Sequence, residues 1–497
     1  MRIKKLLPFF PVLILALASI YVSAEKRAAD LEKALNSIQP FDAYTITKIL
    51  SSEKFAGRLT GDAGYTAAAK WAASKFKQWG LKPFSHEQGY LQAYPSPYVI
   101  VDKAEMSLFL EEKPENSKEP IAKEIKLQPE KEFLPLLFSD SGDRTGELVF
   151  AGWGIRALDL GYDDYAGLDV KGKFVLCFRG TPDRADRRYI PYDHHRFRMR
   201  TAKDQGALGV IYIYDEISSN PNGDWIEGFT PAEVTEKIAD MIFKEKGVTC
   251  ADLKKHLSTF KKPLSFPLRS KASLKVQARN FPDGIGYNIV GYIEGSDSKL
   301  KKNFLVVGAH FDHNGFHMGL LFPGADDNAS GSAAVMEIAE AFLNLAKMPR
   351  RSVVFVLFGG EEKGLQGSTF FAGHLPPVFD KVEAMFNFDM VGEGDKSGFG
   401  YSADFPELKA VVEEADRQVK TLGGAYPIRA VGVRSSDFAP FFEKGVPCVS
   451  FHSNGPHLHY HQTGDTIYRI NPDMLADVSR LAFLSILALA NKPPSGQ

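Results

Sequence analysis

Apolar and polar residues alternate in blocks whose period changes along the chain. Residues 60–80 carry Ala68, Trp71, Ala72, Phe76 and Trp79 at helical spacing, with Gly80 placed to cap the end. From about 86 to 135 the pattern turns β-like, with lysine- and proline-rich loops. Short apolar runs bounded by glycine follow at 146–155, 171–180 and 209–215. This β-rich stretch closes near 275. From 287 onward the rhythm is strand and helix in turn. Apolar runs end at His310, Phe358, Met390 and Ser453, separated by helical patterns at 330–347 and 406–420. A last helix over 472–491 has Asn471 as N-cap and Pro472 at its first position.

Strands alternating with helices predict an α/β fold: a mostly parallel central sheet flanked by helices. The change of rhythm predicts a small β-rich domain inserted at 140–275, with 41–135 and 276–497 forming one discontinuous catalytic body. In such sheets ligands gather beyond the carboxyl ends of the strands.

The chain has 497 residues, a net charge of -1 and 44% apolar residues. The near-neutral balance argues against a nucleic-acid or anionic-membrane surface. Arg2, Lys4 and Lys5, then the apolar run Leu6 to Tyr21, then Val22-Ser23-Ala24, read as a secretory signal peptide over 1–24. Retention as an anchor is the alternative; the apolar run is shorter than a typical span. No other stretch is long and apolar enough to cross a bilayer, so the expected location is periplasmic or secreted. Cys177, Cys250 and Cys448 are far apart and odd in number. Buried free thiols are expected for Cys177 and Cys448, which lie in apolar runs.

The ends of the predicted strands carry the chemistry. "GAHFDH" supplies His310 and Asp312, and "FGGEE" supplies Glu361 and Glu362. "NFDM" supplies Asp389, "GADDNASG" supplies Asp326 and Asp327, and the last strand is followed by His452, His457, His459 and His461. Any one of these alone reads as a cap or a solvated loop residue. Their coincidence on one rim points to metal. Nitrogen and oxygen donors without thiolate suit zinc, and less often cobalt or manganese. There are too many carboxylates for one tetrahedral zinc, whereas two cations sharing a carboxylate would balance them.

Together "GAHFDH", "GADDNASG", "FGGEEKGLQGS", "NFDMVG" and "HYHQTGDT" resemble the co-catalytic zinc metallopeptidases that include secreted bacterial aminopeptidases and the glutamate carboxypeptidases, metallopeptidase family twenty-eight. The resemblance covers 287–470. Residues 55–83 are similar to the N-terminal helix region of that family, and 140–275 look like its protease-associated insert. The resemblance implies two Zn2+ per chain. His310 and Asp389 would hold one, Glu362 and His461 the other, and Asp327 would bridge them. It implies Glu361 as general base, Asp312 as the carboxylate fixing the His310 imidazole, and Tyr460 as a candidate for steadying the oxyanion. His313, His457 and His459 match no ligand and are expected on the rim. The implied activity is exopeptidase hydrolysis of peptides or small proteins, as an aminopeptidase. Glutamate carboxypeptidase-like, glutaminyl cyclase-like and non-catalytic binding relatives are the alternatives. Side-chain preference and oligomeric state are not legible.

Overall fold

The computed structural model describes residues 28–112, 121–395, 398–426 and 434–493. The expected signal segment therefore lies outside the described residues. Among the described residues no helix is long and apolar enough to cross a membrane.

Two large sheets organise the chain. The first has nine strands. At its centre Ser352–Phe358, Asn303–His310, Lys381–Phe388 and Cys448–Ser453 run parallel, side by side in that order. Ile285–Ile293 pairs antiparallel on the outside of Ser352–Phe358. At the other edge Phe399–Ser402 pairs antiparallel with Cys448–Ser453 and parallel with Leu422–Tyr426.

The period-two alternation divides each central strand between two cores. Leu305 and Val307, with Val353, Phe355 and Leu357, enter one core. There they meet the helices Ala63–Trp79, Gly331–Leu343 and Pro472–Asn491. Phe304 and Val306, with Val354, Val356 and Phe358, enter the opposite core, against Phe371, Phe438 and Phe441. Strands buried on both faces are mostly apolar, and the titratable groups of the site gather where the strands stop. The caps follow the sequence: the Asp62 side chain accepts from Tyr65 N–H, Gly80 is left-handed, and Asn471 accepts from Asp473 and Met474. This body starts before residue 41, because Ala34 and Ile38 are already buried in its core.

The second sheet has eight strands and its own cores. It corrects the expected boundaries. Tyr98–Glu112, Ile121–Lys126 and Phe133–Pro135 belong to it, so these three strands are not part of the catalytic sheet. Tyr98–Glu112 pairs antiparallel with Ser265–Phe281, which runs past the expected exit at 275. Amphipathic alternation fits any sheet that offers a partner, and here a 17-residue strand offers one. The crossings into and out of the insert fall near 96 and 283. There Ser96 N–H donates to Gly284 O at 2.7 Å. Cys177, Cys250 and Cys448 are free and buried.

Candidate metal centre

The four central parallel strands end on one edge, and the chain beyond each end turns into one cavity of about 140 Å³. His310, Asp327, Glu361, Glu362, Asp389, Tyr460 and His461 all line it.

His310 is the last residue of its strand. Its Nε2 lies 3.1 Å from Asp327 Oδ1 and 3.3 Å from Asp389 Oδ1. His461 Nε2 lies 3.1 Å from Asp327 Oδ2 and 2.9 Å from Glu362 Oε2. Asp327 thus spans two imidazoles, and each imidazole has a further carboxylate of its own. The arrangement has two halves about one shared acid. All five expected ligands are brought together.

Local structure explains how each side chain arrives. Gly360 (φ 66°) and Gly364 (φ 96°) adopt left-handed backbone, which lets the chain reverse after Phe358. Gly359 is needed for space: a Cβ there would lie 2.1 Å from Tyr65 Oη. Asp327 sits in an irregular turn, 325–330, ahead of the helix Gly331–Leu343. Asp465 holds that turn by accepting from Asp326 N–H (2.8 Å) and Asp327 N–H (3.0 Å). Asn328 ties it to the next strand, donating to Phe388 O at 2.8 Å. Beneath the rim lies Arg58, fully buried. Its guanidinium donates to the carbonyls of Leu50, Phe311, Pro323 and Gly324 at 2.6–2.8 Å. A buried cation under converging carboxylates lowers the cost of collecting them.

Charges in the cavity are strongly coupled. Burial opposes ionisation of Glu362, but His461 and His313 outweigh it and hold the carboxyl down to about 2. Burial drives Glu361 well above the usual carboxylate range; Glu362 adds to this and His310 opposes it. The Glu361 carboxylate forms no hydrogen bond or ion pair among the described residues, while its backbone N–H donates to Asp312 Oδ1 at 3.1 Å.

Two expectations change. The Asp312 carboxylate does not hold the His310 ring. His310 Nδ1 faces the Asp312 main-chain carbonyl at 3.2 Å. The chain curls back after the strand, which turns the Asp312 side chain toward the Glu361 amide. His313 is not a rim residue. It is fully buried, and its Nδ1 lies 2.8 Å from Glu362 Oε1. It follows Asp312 directly in "HFDH", which was the available signal. His457 pairs with Asp326 (2.6 Å) and His459 with Gln462 (3.3 Å), both away from the shared acid. Tyr460 is half exposed, its ring stacked 3.8 Å from the His461 ring. Arg58, Asn328, Asp465 and Ser219 escaped the sequence reading. Ser219 is 242 residues away from the histidine it contacts.

The fold and the rim define a class: an α/β peptidase fold with a carboxylate–imidazole rim suited to divalent cations. Residues 288–486 match Peptidase family M28, and residues 144–246 match the PA domain. The two matches together support a family M28 peptidase with an inserted PA domain. It is 27% identical over 341 residues to "Aminopeptidase YwaD" of Bacillus subtilis, covering 67% of this chain and 66% of the relative. It is 28% identical over 339 residues to an aminopeptidase of Pseudomonas aeruginosa, covering 64% of this chain and 55% of the relative. The chain thus spans 55–66% of the length of these curated relatives. The fold is similar to that of an aminopeptidase from Aneurinibacillus sp. strain AM-1, with TM-score 0.65 and 22% identity over 93% of this chain and 97% of that one. A peptidase M28 precursor from Shewanella amazonensis gives TM-score 0.63 and 19% identity, covering 95% of this chain and 100% of that one. A zinc aminopeptidase from Bacillus subtilis gives TM-score 0.60 and 20% identity, over 93% and 97%.

Proposed function

We propose that this chain is a zinc-dependent exopeptidase, an aminopeptidase releasing N-terminal residues from peptides, with two zinc ions per chain. One observation carries the reading: Asp327 lies 3.1 Å from both His310 and His461, and each of these is paired with its own carboxylate, Asp389 or Glu362. The residues fit the metal. All donors are nitrogen or oxygen. Asp327 Oδ2 is buried without an aligned hydrogen bond, which leaves it available to a cation. His310, Asp327 and Asp389 would hold one ion, and His461, Asp327 and Glu362 the other. Bound zinc supplies Lewis acidity and a water acidified toward neutrality.

The remaining steps belong to the protein. Glu361 faces the cavity with an uncommitted carboxylate. It takes a proton from the attacking water and returns it to the leaving amine nitrogen. Asp312 steadies it through the Glu361 amide. Tyr460 lines the cavity with its ring on His461, and its hydroxyl would supply a donor for the developing oxyanion. The cavity is below the roughly 300 Å³ of ordinary ligand pockets, a size for the end of a peptide.

Peptides with free and with blocked N-termini, each with and without chelator, test the activity. Cleavage of the free set alone, lost with chelator and restored by zinc, supports it. Release from the C-terminus, or ring closure of N-terminal glutamine without hydrolysis, overturns it. Elemental analysis should give close to two zinc ions; one, with no second site on titration, removes the paired centre. Export is proposed from residues 1–24 alone, and a mature chain beginning at Glu25 in the periplasm or medium checks it.

A further inference from the structure

Among the described residues, the insert hydrogen-bonds a ligand of the metal centre at Ser219. Ser219 lies in the loop between strands Gly209–Tyr214 and Ala232–Thr235 of the second sheet. Its main-chain carbonyl lies 2.9 Å from His461 Nδ1. Its N–H and its hydroxyl both donate to the His461 carbonyl, at 2.9 and 2.8 Å. The hydroxyl also accepts from Asn314 Nδ2 at 2.8 Å, and Asn314 follows His313. Ser219 and Asn314 are buried. Next to this clamp Gln462 Nε2 donates to Ile217 O at 3.0 Å, and the Thr463 hydroxyl bonds the Glu130 carboxylate. Ser218 N–H donates to the buried Glu233, which fixes the loop from behind.

We infer that Ser219 is a positioning residue for His461, so that the inserted domain completes one half of the metal centre. This rests on the metallopeptidase reading above. The physical case has two parts. A carbonyl facing Nδ1 accepts only from an Nδ1–H ring, which places the lone pair on Nε2, where Glu362 and Asp327 converge. His461 also has left-handed backbone at φ 57°, an uncommon state for a residue with a Cβ. Two donors from Ser219 on its carbonyl hold that state. The other imidazole of the pair, His310, ends a strand of the catalytic sheet and needs no such support. The two halves therefore differ: one is built wholly by the catalytic sheet, the other depends on the insert.

The test uses full-length Ser219→Ala, Ser219→Thr and Asn314→Ala, each checked for an unchanged thermal midpoint. Zinc affinities are measured by chelator competition on metal-free protein. Ser219→Ala keeps the main-chain carbonyl and N–H and removes only the hydroxyl that holds them in place, so it should weaken one of two sites by about five- to ten-fold, the worth of one buried hydrogen bond. The other site should stay within roughly two-fold of the parent. Ser219→Thr, which keeps the hydroxyl, should restore affinity, and Asn314→Ala should shift the same site in the same direction. Unchanged affinities, or equal weakening of both sites, overturn the inference. A parent that binds fewer than two zinc ions overturns the paired-metal reading instead. A second readout is independent of affinity. In the proton–nitrogen spectrum of 15N-histidine-labelled, zinc-loaded protein, His461, assigned by His461→Gln, should show a slowly exchanging Nδ1–H in the parent and a faster one in Ser219→Ala; an unprotonated Nδ1 in the parent overturns the clamp.

Discussion

Glu361 and Glu362 are neighbours with different surroundings. Glu362 lies within 2.9 Å of two imidazoles, whereas Glu361 has no such partner among the described residues. Glu361→Gln should therefore keep zinc and fold while kcat falls by about two to four orders of magnitude. Glu362→Gln should instead lose affinity for one ion. Zinc content and single-turnover rates on both variants decide this; zinc loss from Glu361→Gln removes its assignment as proton carrier. Arg58 is the other residue on which the rim rests. Burial pulls its guanidinium down to about 10, so it stays charged, with Asp465, Asp312 and Asp327 supporting the charge. Arg58→Met strands four buried carbonyls. Unfolding in urea should show a loss of about 3–5 kcal/mol, the range for removing one member of a buried ionic network. A loss under about 1 kcal/mol would mean that water replaces the guanidinium. His310 ends a doubly buried strand, Asp389 is the first residue beyond one, and Glu362 follows one after a glycine turn, which made these three legible from the strand pattern; Asp327 and His461 stand in turns and were legible only from the motifs around them. His313 was not, because the second histidine in "HFDH" carries no period that separates a buried from an exposed place.

At the scale of elements, the turn after Ser352–Phe358 decides where both glutamates point. Gly359→Ala places a methyl against Tyr65, whose hydroxyl donates to Tyr287 O. Overpacking of this kind costs about 1–3 kcal/mol, and the displaced turn carries Glu361 with it. The thermal midpoint and kcat/KM should both fall. Gly373→Ala, at a site where a Cβ meets nothing, serves as the control and should change neither. The helices and strands of the catalytic body were readable from periodicity and caps, because one period holds along each element. The partner of a strand is a different matter. Residues 98–112 alternate like any half-buried strand, and only the partner at 265–281 assigns them to the second sheet.

For the whole molecule, acidity links to stability through a group far from the rim. Glu337 is buried on the helix Gly331–Leu343, where burial, with Asp42 and Glu340, pushes it up to about 8; Arg480 and the Gln39 backbone oppose this. The folded protein therefore holds a proton on Glu337 between the ordinary glutamate value and about pH 8, and the unfolded chain does not. This contribution to stability is complete at low pH and is lost as pH rises through that window. Its slope is at most about 1.4 kcal/mol per pH unit. Glu337→Gln should match the parent near pH 5 and exceed it in thermal midpoint at pH 8–9. Parallel melting curves across that range would show that Glu337 is already ionised in the fold.

The two crossings between the sheets lie side by side. Pro95 stands opposite Ile285, and Tyr98 opposite Phe281, their rings stacked 4.6 Å apart. One antiparallel ribbon thus runs out of the catalytic sheet and becomes part of the other. A short hairpin turn at this point would close the parent sheet with every remaining pairing in register. In genetic terms residues 98–281 form a cassette whose two ends a single event could join, though its loss would uncover Phe322, which packs against Leu134 and Ile217. The clamp on His461 sets a condition on that freedom. A lineage that discarded the cassette would need another donor pair for the histidine carbonyl, so the insert is easy to acquire and, once Ser219 is in use, hard to give up.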